Sequence, residues 1–180
     1  LDSIRNDPRR RWHGHKVHRD TTWDFSFYVP LAWKRYDLTD RYGVIYAPGE
    51  DPRTGFYVSV EDLSDKLDEP LAETDLTALH AGILEGIEKL PGYRVLHQKE
   101  ISKESAFGLE IMLTFTLDDG LCKRRAFLLY KDRQQFTIYC QGWPASEYDV
   151  FHDMMGFMYT SFTFSDLLAQ VKPRPGRSVG

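Results

Sequence analysis

From Phe107 to Leu117 every odd position is apolar: Phe107, Leu109, Ile111, Leu113, Phe115 and Leu117. Glu110, Thr114 and Thr116 fall on the even positions between them. A helix would scatter a period of two around its circumference, whereas a strand sends alternate side chains to one face. The chain is therefore organised around a long strand that needs neighbours and a cover. Asp118-Asp119-Gly120 reads as a short hairpin turn with glycine where φ > 0 is needed. Leu121–Tyr130 and Gln135–Trp143, joined at Lys131-Asp132-Arg133-Gln134, extend it into an antiparallel meander. With Lys131 set opposite Gln135, Cys140 lies opposite Ala126 and Cys122 sits four residues further along. That offset is roughly 13 Å at about 3.3 Å per residue, too far for a disulfide. Both cysteines read as buried free thiols.

Upstream, Trp23, Phe25, Phe27 and Val29 alternate with Asp24 and Ser26 in a half-buried strand that stops at Pro30. Gly43–Ala47 and the Phe56, Val58, Val60 alternation give two more strands, and Tyr93–Ile101 another. Leu76, Leu79, Ile83, Ile87 and Leu90 recur at helical spacing, with Thr74 or Asp75 as cap and Pro91-Gly92 as terminator. Gly82 and Gly86 on this helix read as permitting close packing onto the sheet. A second helix is expected from Pro144-Ala145-Ser146, with Ser146 as cap and Asp149 at the capping-box position. Its Val150, Phe151, Met154, Met155 and Met158 read as core. The expected class is α+β, an antiparallel sheet flanked by helices. The expected organisation is a flexible basic segment at 1–21, one globular domain at 22–168 and a flexible tail at 169–180.

Charge narrows the function. The net charge is −4, but residues 1–20 and 169–180 each carry +3, which leaves −10 for the body between them. An acidic body repels phosphate backbones, so nucleic-acid binding by the core is disfavoured. The basic ends read as solvated tails. No run approaches the roughly 20 apolar residues of a membrane-spanning helix. The chain opens at Leu1 rather than at a methionine, so an upstream segment is expected, and no secretory signal pattern occurs in the first 30 residues. No compartment follows from this.

The phosphate loop, the dinucleotide fingerprint, the nucleophile elbow and the His-Glu-x-x-His zinc motif are all missing from the sequence. His13, His15 and His18 are close enough in sequence to suggest a Zn²⁺, Ni²⁺ or Cu²⁺ site. A flexible segment would leave their rings unoriented, so no metal is assigned. His80, His97 and His152 read as ordinary surface or core-edge residues, and His152 and Asp153, adjacent on a helix, are not expected to face each other. Cys140 lacks an evident base, Asp118-Asp119 is turn chemistry, and Glu61-Asp62 is only formally a carboxylate pair. No catalytic residue, cofactor or metal ligand is assigned.

Phe25-Ser26-Phe27-Tyr28-Val29-Pro30-Leu31-Ala32-Trp33 and the closing helix from Phe151 to Ser161-Phe162 resemble the PsbP-like superfamily over residues 22–165. That superfamily takes in Ran-binding Mog proteins and DcrB- and LpqN-type bacterial proteins. The resemblance implies an α-β-α sandwich and an accessory or binding role without known catalysis, with another protein as partner. It supplies no catalytic residues to carry over. A small-ligand carrier or enzyme using a cleft between helix and sheet is the alternative.

Overall fold

The computed structural model describes residues 2–164, and the tail expected from 169 lies outside them. A helical turn, α1 (Asp2–Arg5), leads into β1 (His15–Asp20), β2 (Phe25–Pro30), β3 (Lys34–Asp37), β4 (Gly43–Ala47) and β5 (Gly55–Asp62). Next come α2 (Leu76–Glu88), β6 (Arg94–Lys103), β7 (Ala106–Leu117), β8 (Gly120–Lys131), β9 (Gln134–Gly142), α3 (Ala145–Ser161) and β10 (Thr163–Phe164). Seven strands form one antiparallel sheet in the order β3-β4-β5-β9-β8-β7-β6. A smaller antiparallel sheet has the order β1-β2-β10. The class is α+β, as the alternation requires.

The large sheet carries a core on each face. Leu109, Ile111, Leu113 and Phe115 of β7 meet Leu76 of α2, with Leu79, Ile83, Ile87 and Leu90 packed alongside. On the other face Phe127, Leu129, Phe136 and Ile138 meet Phe151, Met154, Met155 and Met158 of α3 and Phe25, Phe27 and Val29 of the small sheet. The methionines are therefore core. β7 is not covered on one side only: Gly108 and Glu110, on its even face, are buried too.

Three local readings need correction. First, the sheet begins at His15, ahead of the boundary expected at Thr22. β1 pairs with β2 along six residue positions, yet only His18 is buried, so no apolar alternation announces the strand. Arg9 and Arg10, ahead of it, reach Glu147 and Asp153 of α3 at 2.8 and 2.6 Å. Second, Asp118 and Asp119 hold the positive φ angles of the β7–β8 turn, and Gly120 opens β8. Third, Lys131 faces Gln134 rather than Gln135, so Cys140 lies opposite Arg125. A one-residue change of register reverses the face. Cys122 consequently points to the α2 side and Cys140 to the α3 side, both as free thiols.

The helix starts also differ from expectation. Ser146 lies inside α3, and Pro144 occupies the capping position, its carbonyl accepting from the Glu147 N–H at 2.9 Å. Asp75 uses its carboxylate on the Ala72 N–H at 2.9 Å instead of capping α2. Gly82 and Gly86 do not draw α2 onto the sheet: a Cβ at either position would meet nothing within 4 Å.

Candidate interaction surface

The residues that sequence reasoning weighed for chemistry are dispersed. His15 is exposed and His18 buried, because strand alternation sends positions three apart to opposite faces of β1. Among the described residues no group of three or more His, Cys, Asp or Glu side chains could hold a metal ion. His80 bonds Gln98 at 3.0 Å, and His97 lies 3.7 Å from Glu110. His152 does meet Asp153, at 2.9 Å, with its Nδ1 3.0 Å from the Asp149 carbonyl oxygen. Burial pushes the Cys122 thiol up to about 11 and the Cys140 thiol up to about 12, so neither is a thiolate at neutral pH. Asp118 accepts from Arg53 at 3.1 Å, and Glu61 pairs with Lys66 at 3.1 Å.

His18 is the exception among the histidines. It stacks on Phe27 at 4.8 Å and shares a 2.8 Å hydrogen bond with the Tyr46 hydroxyl. Burial, then the nearby Arg35, holds its pKa below the usual value, with Asp20 and Asp37 opposing. It lines a cleft of about 250 Å³ beside Arg35, Asp37 and Arg41. The cations there are already matched: Arg35 with Asp37 at 2.9 Å and Arg41 with Asp40 at 2.9 Å. Tyr42 likewise donates to Asp20 at 2.5 Å. Both arginines of the cleft are thus paired with carboxylates, while Asp20 is held by neutral donors.

The outer face of the small sheet is different. Tyr28 of β2 stacks on His15 of β1 at 4.5 Å and lies 6.1 Å from Phe157 of α3. Trp12 closes the ring, 5.0 Å from Phe157 and 6.0 Å from His15. Val17 pairs directly with Tyr28 across the two strands. These side chains are open to solvent: Val17 is 56% exposed, Phe157 45% and Tyr28 39%. Rings that served only to pin the N-terminal segment onto α3 would be covered by it. The β1–β2 hairpin with its lead-in and the sequence-distant α3 instead assemble one aromatic surface. Large exposed apolar patches on a folded protein mark contact sites, and aromatic side chains dominate the energetics of such contacts.

No family model matches the sequence, and no curated protein matches it. Solved structures do. The solution structure of cyanobacterial PsbP (CyanoP) from Synechocystis sp. PCC 6803 superposes with a TM-score of 0.61 at 12% identity, covering 83% of this chain and 92% of that one. The fold is PsbP-like. The Saccharomyces cerevisiae Ran-binding protein Mog1p is similar at a TM-score of 0.49 and 10% identity, over 86% of this chain and 97% of its own. LpqN of Mycobacterium tuberculosis, involved in cell envelope biogenesis, gives 0.48 and 13% over 90% and 94%.

On this PsbP-like scaffold the aromatic surface escaped the sequence reading for a definable reason. Trp12 and His15 lie in a segment without apolar period, and Phe157 stands outside the Phe151, Met154, Met155, Met158 stripe of α3. An aromatic residue on the solvent side of an amphipathic helix was the available signal.

Proposed function

We propose that this domain is a non-enzymatic accessory protein that docks a protein partner on the surface formed by Trp12, His15, Val17, Tyr28 and Phe157. The observation that carries the reading is the closed ring of four aromatic side chains, partly open to solvent, with Val17 beside Tyr28. Such rings supply large contact area at low entropic cost and suit the anchors of an interface. The paired arginines of the His18 cleft and the two high-pKa thiols support a role in binding over one in catalysis.

The test places a photo-crosslinking amino acid at Val17 and irradiates a lysate of the source cells. The expected result is a discrete adduct with one partner protein. It disappears in a Tyr28→Ser/Phe157→Ser variant with unchanged circular dichroism, and it persists when Gly86→Ala is introduced on the opposite side of the sheet. An adduct indifferent to the double variant, or one formed only with a second copy of this chain, overturns the assignment.

A further inference from the structure

A second feature lies across the sheet from the aromatic surface and is independent of it. Between α2 and the sheet is a cleft of about 250 Å³. Ile83 and Ile87 of the helix form its roof, and Leu113, Ala126 and Leu128 form its floor. The space exists because α2 is seated loosely. Only Leu76 of this helix is buried, while Ile83 and Ile87, which an amphipathic helix would normally hide, remain half-exposed. Apart from Arg124 and Tyr139 the lining is aliphatic or glycine, so water in it finds few hydrogen-bonding partners. An aliphatic chain matches both size and chemistry.

One cation stands in this apolar setting. Arg124 of β8 lines the cleft, its guanidinium lying 4.0 Å from the Tyr139 ring centre and 4.7 Å from that of Phe115. Its Nε donates to Gln141 Oε1 at 2.7 Å. Among the described residues no carboxylate pairs with it, whereas Arg9, Arg10, Arg35, Arg41, Arg53 and Arg125 each have one. With Nε committed and the ring faces fixing its plane, the two Nη groups offer the planar fork that a carboxylate accepts in bidentate fashion.

We propose that this cleft binds a medium-chain aliphatic carboxylate, its chain lying between α2 and the sheet and its head group on the Nη groups of Arg124. The binding step makes and breaks no covalent bond. Tyr139, which also lines the cleft, and the glycines Gly82 and Gly86, which leave the roof open, complete the site.

The test is calorimetric titration of the full chain with octanoate, and with 1-octanol as a neutral probe of the same length. The expected result is saturable 1:1 binding of octanoate, preferred over 1-octanol. Gly86→Leu fills the cleft from the roof and is expected to weaken octanoate binding at least tenfold. Ala126→Leu does the same from the floor and serves should the first variant fail to fold. Arg124→Met is expected to bind both probes equally, and Tyr28→Ser/Phe157→Ser to bind octanoate as the parent does. Absence of octanoate binding in the parent, or undiminished binding in a folded cleft-filling variant, overturns the proposal. Retained preference for octanoate in Arg124→Met removes the head-group assignment and overturns it equally.

Discussion

At the scale of single residues, the informative positions are those whose surroundings contradict their type. His18 is an imidazole buried between phenylalanine rings and bonded to Tyr46. Its folded pKa is depressed below 6.5, chiefly by burial. The unfolded chain therefore binds a proton that the folded chain refuses as pH falls through about 6.5, so this group's stabilising share is complete above that value and declines below it. Thermal midpoints measured from pH 8 to pH 5 are expected to fall below about pH 6.5, and His18→Gln is expected to flatten that slope. Equal slopes in the two proteins would locate the acid sensitivity elsewhere. Gly142 is constrained by contact rather than charge. A Cβ there would lie 2.0 Å from the Tyr148 backbone nitrogen, where β9 passes under the first turns of α3. Gly142→Ala must displace that helix, and a loss of about 1–3 kcal/mol in urea denaturation is the expected cost of overpacking.

At the scale of elements, β7 and the two helices differ in how well they are held. Ile111 is fully buried against α2, while Thr114 is only half-buried on the other face. Ile111→Ala is expected to cost about 2–5 kcal/mol, the usual range for a large-to-small core change. Thr114→Ala is expected to cost clearly less, as the two urea midpoints would show. In α2, Gly86 lies in the last turn with open space where a side chain would project. Gly86→Ala removes the backbone-entropy penalty of glycine without a clash, so a gain of about 0.5–1 kcal/mol is expected. A loss at this position would mean that the backbone needs glycine for another reason.

At the scale of the whole molecule, one sheet serves two cores of unequal quality. α3 buries Tyr148, Val150, Phe151, Met154, Met155 and Met158, whereas α2 buries Leu76 alone. Elements with few buried apolar side chains open at lower free energy than the global transition. Hydrogen exchange at neutral pH is therefore expected to show α2 amides exchanging well before those of α3 and the central strands β8 and β9. Octanoate in the cleft is expected to slow the α2 amides selectively. Uniform protection of both helices would contradict the loose seating of α2. The two proposed sites lie on opposite sides of this sheet, the aromatic surface with the firmly held helix and the cleft under the loose one.

Wherever one face of an element meets a continuous core, the sequence alone was sufficient. The alternation of β7, the stripes of α2 and α3 and the central strands were legible because burial on one face imposes a period of two or 3.6. Alternation could not announce β1 or β3, since each carries polar side chains and is held by backbone pairing. Nor could it set the register of the β8–β9 hairpin, where a single residue decides that Cys122 and Cys140 face different cores. Neither proposed site has a local signature. Trp12, Tyr28 and Phe157 come together only when the small sheet packs beside α3, and the space before Arg124 exists only because α2 stops short of the sheet. Local pattern records what each residue must hide from water. Which exposed residues become neighbours is decided by packing between distant segments, and that belongs to the tertiary structure.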